Sequence, residues 1–284
     1  MPAPPVRPME ARDVDAVHHV SVAAFQDLAR RFGADPDPPA PIAEARLRVG
    51  RLLATDPGGA WVSEHRGEVV GASLGIVREG VWGLSLLVVR PDAQSSGAGR
   101  ELLDRAYEYG NGARGRVVLA SADARALRSY ARRGLALHPA VRAAGRPRNA
   151  AMPAEVRPGA LADLPLTVAV DRAVRGAAHG DDIGALLELG GELLVVDERG
   201  YAVVRAGNVR VLAATDEAAA AALLRGCLAA AGAREASVDW ITSAQGWAIA
   251  PCLDAGLELR TDGAVFLDGD VGPFVPYLPS GAYL

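Results

Sequence analysis

Two spacings of apolar residues alternate along the chain. Val6 opens a short extended run. Asp13 stands as a candidate helix N-cap before VDAVHHVSVAAFQDLARRF, which has helical periodicity. The breaker-rich GADPDPPAP follows, then a second helix is expected over about Ile42–Ala54. GGAWVSEHRGEVVGASLGIV reads as two strands turning at Arg66-Gly67, and GVWGLSLLVV as a third. After a glycine-containing turn the pattern predicts a helix to about Tyr109, a strand at RVVLA, a helix at DARALRSYARR and a strand at LALHPAV. Hairpin strands followed by strands alternating with helices predict an α/β domain with a mixed sheet.

AAGRPRNAAMPAE then reads as a linker, and the pattern restarts. VRPMEARDVDAV, from Val6, faces VRPGALADLPLT, from Val156, so that Asp13 matches Asp163. SEHRGEVV faces VDERGYAV, and YARRGLAL faces CLDAGLEL, which pairs Gly67 with Gly200 and Gly134 with Gly256. Three matches in chain order with a shrinking offset point to a diverged tandem repeat. The expected domains are residues 1–150 and 155–284.

Composition narrows the class. Half of the 284 residues are hydrophobic, enough for a sizeable core, and the net charge of −4 argues against a general nucleic-acid binder. Every basic side chain is arginine. Residues 1–150 carry 21 arginines against 16 acids, and the remainder 9 against 18. The acidic second half is either a solvated surface or a field that draws in a cationic substrate. Cys227 and Cys252 lie in apolar segments, and two cysteines make no disulfide framework. Free thiols in a reducing cytoplasm are expected. The amino-terminal stretch lacks a signal-peptide pattern, and no apolar run reaches the ~18 residues of a membrane span. No metal site is expected: His18 and His19 are adjacent on a helix, and His179 with Asp181 and Asp182 reads as a loop cluster.

The glycine turn is the strongest chemical signal. Gln94-Ser95-Ser96-Gly97-Ala98-Gly99-Arg100 joins a strand end to a helix start. The first turn of a helix leaves N–H groups without internal partners, its dipole favours negative charge, and glycine lets an anion approach the backbone. Such a nest suits a pyrophosphate, and Arg100 can add a charge-assisted contact. Arg100-Glu101 does not end a Walker A loop, and a dinucleotide fingerprint wants three glycines early in a βαβ unit.

Gln94-x-x-Gly97-x-Gly99 after an apolar strand resembles the acyl-CoA loop of the GCN5-related N-acetyltransferases, the GNAT superfamily. Ala126, Tyr130 and Gly134 fit the family's downstream pattern, while Asp123 stands where Asn is usual and Leu135 where Phe is usual. The resemblance covers about residues 5–145 and extends weakly over 155–265. It implies two GNAT-like domains of α/β (α+β) class, each a mixed, mainly antiparallel sheet flanked by helices. It further implies that acetyl-CoA is held by Gln94, the Ser95, Ser96, Gly97, Ala98, Gly99 and Arg100 backbone, and the strand edge Leu87, Val88 and Val89. Asp123 belongs to the same cofactor-binding set. Tyr130 becomes the candidate acid for the departing thiolate: an ordinary Tyr pKa near ~10 exceeds a thiol's near ~8.5.

The implied activity is transfer of an acetyl group from CoA to an amine, with no metal, no nucleic acid and no membrane; a homodimer is left open. The base is not identified. LSLLVV carries Ser85 where some members carry Glu, and Glu64 and Glu79 read as strand-end charges. An acceptor of low pKa would need no strong base. In the second half the turn becomes TDEAAAA, where Asp216 and Glu217 suit a helix N-terminus but repel pyrophosphate, and Cys252 stands near the position of Tyr130. That half is expected to bind no CoA. A non-catalytic acyl-CoA-binding or interaction module is the rival reading.

Overall fold

The computed structural model describes residues 4–36, 38–148 and 150–284. Asp37 of the proline-rich loop and Asn149 of the expected linker lie outside the described residues. The fold is mixed α/β, with a mainly antiparallel sheet flanked by helices. It divides into two compact units, one running to Val77 and including Trp82–Ala113, the other comprising Arg78–Val81 and Arg114–Leu284. These units part the chain elsewhere than at residues 150 and 155.

In the first unit the strand order is β1 (Val6–Pro8), β2 (Ala60–His65), β3 (Glu68–Arg78), β4 (Val81–Val89). The helices are α1 (Val14–Arg31), α2 (Ile42–Thr55) and α3 (Ala98–Tyr109). Val17 and Val20 of α1, Leu52 of α2 and Leu102, Leu103 and Ala106 of α3 supply one buried stripe each, the pattern of helices packed on a sheet. Val62, Val70, Ala72 and Leu74 are buried strand residues. Two polar bonds fix α3 on this core. Ser73 Oγ donates to the Leu102 carbonyl at 3.0 Å, and Trp82 Nε1 to that of Ala106 at 2.9 Å.

The second unit contains β5 (Gly115–Ala120), α4 (Ala124–Ala131), β6 (Ala136–Gly145), β7 (Arg157–Pro158), α5 (Leu164–Arg175), α6 (Asp181–Glu188), β8 (Glu192–Val196) and β9 (Gly200–Arg205). It continues through β10 (Asn208–Ala214), α7 (Glu217–Ala231), β11 (Ala236–Ile241), α8 (Ile249–Asp254), β12 (Glu258–Gly269) and β13 (Tyr277–Leu278). The strand order is β5-β12-β6-β11-β10-β9-β8-β7, with β13 beside β10. β6 and β5 do not pair with each other, because β12 lies between them. Val118 of β5 and Leu137 of β6 both stand opposite Phe266. β6 also pairs with β11, Ala143 opposite Val238 and Gly145 opposite Ala236. This pairing draws the strand four residues past the expected LALHPAV, so the first residues of the expected linker are strand. α7 is apolar on nearly every side and correspondingly buried, from Ala219 through Leu223, Cys227 and Ala231.

One polar figure occurs in each unit. In the first, Arg7 grips Asp13 through both terminal nitrogens at 2.7 and 2.9 Å and Glu64 through Nε at 2.8 Å, while Asp13 accepts from the Glu10 N–H. In the second, Arg157 grips Asp163 at 3.1 and 2.7 Å and Asp197 at 2.9 Å, while Asp163 accepts from the Ala160 N–H. Asp13 therefore closes a short 3-10 turn ahead of α1 and makes no side-chain cap of α1 itself.

Candidate active site

Strand β4 delivers the chain to a 3-10 turn at Pro91–Ala93 and then to the glycine loop. Ser95 and Gly97 both take left-handed backbone, φ +64° and +96°, and Gly97 is the N-cap of α3. Left-handed geometry costs an ordinary residue about 1–2 kcal/mol, so Ser95 is held there by its surroundings. Ser96 Oγ donates to the Ala93 carbonyl at 2.7 Å, and Gln94 Nε2 to that of Val89 at 3.2 Å, which ties the loop back to its own strand. The helix ladder begins only with Arg100 and Glu101, both donating to the Gly97 carbonyl. Among the described residues the N–H groups of Ser95, Ser96, Gly97 and Gly99 have no acceptor. Ala98 is buried and has only a long contact, 3.4 Å, to Ser96 Oγ. The Arg100 guanidinium is exposed and has no partner among the described residues. Four open donors, the positive end of a twelve-residue helix and one unpaired cation are the chemistry that suits an anion.

On β4, Leu87 and Val89 are half-buried and Val88 is buried. Two residues upstream, Ser85 is clamped from α2: Arg48 Nη2 donates to its hydroxyl at 2.8 Å and its carbonyl at 3.0 Å. A guanidinium thus stands where a carboxylate base would have been useful. The sequence could not single out Arg48, one of several arginines on an amphipathic helix.

Neither candidate carboxylate is placed to act as a base. Glu64 is committed to Arg7. Glu79, on the β3–β4 turn, takes both Arg172 and the Ala178 N–H, and the Arg172 contact leads in lowering its pKa to about 2.

Asp123 and Tyr130 belong to the second unit, apart from the loop residues. Asp123 caps α4, accepting from the Arg125 N–H at 2.9 Å and pairing with the Arg125 guanidinium at 2.7 Å. Tyr130 is 5 % exposed. Its hydroxyl has no hydrogen-bond partner among the described residues, yet it is not among the sealed, unpaired polar atoms. Burial raises the phenol pKa well above its ordinary value; Arg133 opposes the shift and Asp123 adds to it. Tyr130 is therefore a neutral donor at any physiological pH.

The corresponding region of the second half is built differently. Asp216 caps α7, accepting from the Ala219 N–H at 2.9 Å, and is paired with Arg199 at 2.6 Å. Residues Leu212 and Ala213 of β10 align with Leu87 and Val88 of β4, and against them lies the chain's own β13, Leu212 opposite Leu278 and Ala213 opposite Tyr277. That strap is anchored in a fully buried network. His179 Nδ1 meets Asp171 Oδ2 at 2.8 Å, and its Nε2 lies 2.9 Å from the Leu284 carbonyl oxygen and 3.1 Å from the Tyr277 hydroxyl. The Tyr201 hydroxyl donates to Asp171 Oδ1 at 2.6 Å. Burial opposes ionisation of Asp171, but His179 and Arg175 together hold its pKa below the usual carboxylate value. His179 is thus a core residue with no shared site with Asp181; its neighbour Asp182 pairs instead with Arg78 at 2.6 Å. Cys227 and Cys252 are buried free thiols whose pKa burial lifts to about 12. Among the described residues no helix is long and apolar enough to cross a membrane.

The sequence model of the acetyltransferase (GNAT) family matches residues 22–135. No curated protein matches the sequence. An acetyltransferase-like protein from Pyrococcus horikoshii shares the fold over 98 % of this chain and 94 % of its own, with a TM-score of 0.78 and 18 % identity. A GCN5-related N-acetyltransferase from Sphaerobacter thermophilus covers 94 % of this chain and 96 % of its own at 18 % identity, with a TM-score of 0.59. A tandem GNAT protein from the clavulanic acid biosynthesis pathway covers 94 % and 98 % at 15 % identity, also with a TM-score of 0.59.

Proposed function

We propose that the protein, whose residues 22–135 match the acetyltransferase (GNAT) family model, is an acyl-CoA-dependent N-acyltransferase with acetyl-CoA as donor and an amine as acceptor. The observation that carries this reading is the start of α3, where the N–H groups of Ser95, Ser96, Gly97 and Gly99 stand open beside an unpaired Arg100. Four open donors and a cation suit a pyrophosphate. The pantetheine arm lies along Leu87, Val88 and Val89 and adds to the strand as a peptide does in β-augmentation.

The amine nitrogen attacks the thioester carbonyl directly. A C–N bond forms and the C–S bond breaks; the thiolate takes its proton from Tyr130, and the proton that the nitrogen sheds on becoming an amide passes to solvent, from which the phenol is restored. The amine must arrive neutral or lose its proton to solvent, since Glu64 and Glu79 are engaged elsewhere and Ser85 is no base. An amine of low pKa suits this arrangement.

In the same reading residues 1–150 and 155–284 are diverged copies of one domain. The matching Arg7–Asp13–Glu64 and Arg157–Asp163–Asp197 figures support it. The second copy takes no CoA: Asp216 sits at the helix start, and β13 lies where the pantetheine arm would run.

Two measurements test the assignment. Acetyl-CoA and CoA should raise the melting temperature; stabilisation by ATP or NAD but by neither CoA form overturns it. Thiol release from acetyl-CoA should depend on an amine drawn from a panel. CoA binding without amine-dependent release would instead establish a non-catalytic acyl-CoA-binding module, the reading that the Arg48–Ser85 clamp favours.

A further inference from the structure

Helix α4 connects β5 to β6 and packs both on β5 and on β12, the strand that lies between those two. β12 fills the gap, with Ala264–Gly269 against Ala120–Gly115 on one side and Ala264–Leu267 against Pro139–Ala136 on the other. Its approach to β5 is close. Gly263 has φ +54°, and a Cβ there would lie 1.9 Å from the Ala120 carbonyl oxygen, at the end of β5 from which α4 departs. α4 has only eight residues, too short to be stable alone, so its place is set by what it packs on. Tyr130 meets the fully buried Phe266 ring edge to face, with centroids 5.4 Å apart and planes at 68°. No hydrogen bond orients the Tyr130 hydroxyl among the described residues, so packing alone aims it.

We propose that Phe266 is a positioning residue for acyl transfer, aiming the Tyr130 hydroxyl. The inference rests on Tyr130 being the proton donor of the proposed reaction. It assigns the carboxyl-terminal half more than a packing role, because the donor's orientation depends on a strand that enters the sheet near the chain's end.

A double-mutant cycle on the full-length protein tests it, with kcat and the acetyl-CoA KM read separately from thiol release. Tyr130→Phe should lower kcat on the order of 10²-fold, the scale of a lost general acid. Phe266→Leu should lower kcat about tenfold with the acetyl-CoA KM unchanged, as misplacement of a catalytic group does. The double variant should be no slower than Tyr130→Phe alone, because the ring has then lost the group it aims. Equal losses from Phe266→Leu in both backgrounds, or none beside an active Tyr130, would overturn the positioning role. A silent Tyr130→Phe would remove the acid assignment itself and the proposal with it, and is recognisable as that separate failure. If Phe266→Leu does not fold, Phe266→Met, close to Leu in volume but more adaptable in filling the gap, runs the same cycle.

Discussion

Asp123 stands beside Tyr130 in charge terms, and that has a physical consequence. Its charge adds to the burial that raises the Tyr130 pKa, making the phenol a more reluctant donor. Asn caps a helix about as well as Asp, so Asp123→Asn should leave α4 intact and shift the phenol's ionisation to lower pH. The less reluctant donor should raise kcat at neutral pH; an unchanged kcat would dissociate Asp123 from the phenol. For Glu79 the expected result is silence in the rate: with a pKa of about 2 and Arg172 attached, it is already ionised throughout the working range, and Glu79→Gln should leave the pH–rate profile unchanged. Its pair contributes stability that is full above about pH 4.5, the ordinary Glu value, and lost as pH falls toward 2. Acid unfolding should therefore separate the variant from the wild type at pH 7 and bring them together near pH 2. At this scale the sequence was a partial guide. Gln94–Arg100 was legible because strand, glycines and helix are contiguous. Arg48, Phe266 and the Asp171–His179 pair were not, since each acquires its role from a neighbour far away in the chain.

The two helix starts after β4 and β10 offer a controlled comparison. α3 begins with a left-handed glycine and open N–H groups, α7 with an aspartate that fills its own N-terminus. Gly97→Asp should convert the first into the second. Aspartate tolerates positive φ better than most residues, but φ +96° still strains it, so the unliganded melting temperature should fall by a few degrees with the fold retained. Ligand stabilisation should vanish: at a hundredfold excess over Kd the wild type gains about 2.7 kcal/mol, and the variant should gain almost none. A retained CoA shift would place the pyrophosphate elsewhere. Elements such as α1, α2, α3 and the β2–β3 hairpin follow the apolar spacing to within a residue or two, because each buries a face that its own sequence encodes. β6 outruns its expected end because its partners β11 and β12 carry it on.

Over the whole molecule, the His179 network fastens the carboxyl-terminal strap to α5. Removing one partner of a buried hydrogen-bonded network strands the Asp171 carboxylate in a medium that cannot solvate it. His179→Leu should therefore cost about 3 kcal/mol, seen as a lower denaturant midpoint with acetyl-CoA stabilisation retained. An unchanged midpoint would show the network to be energetically idle. Compactness in this fold follows strand pairing, and β12 joins β5 on one side and β6 on the other; a pairing between strands so far apart in the chain leaves no trace in local sequence. That pairing also bears on biosynthesis. During translation β5 and β6 leave the ribosome long before residues 258–269 do, and each then exposes unpaired backbone along its edge. Contacts of such sequence separation form slowly, so the nascent chain faces a long interval in which its own edges can recruit other chains. Ribosome stalling or premature termination before β12 should thus yield an insoluble product rather than a smaller active one.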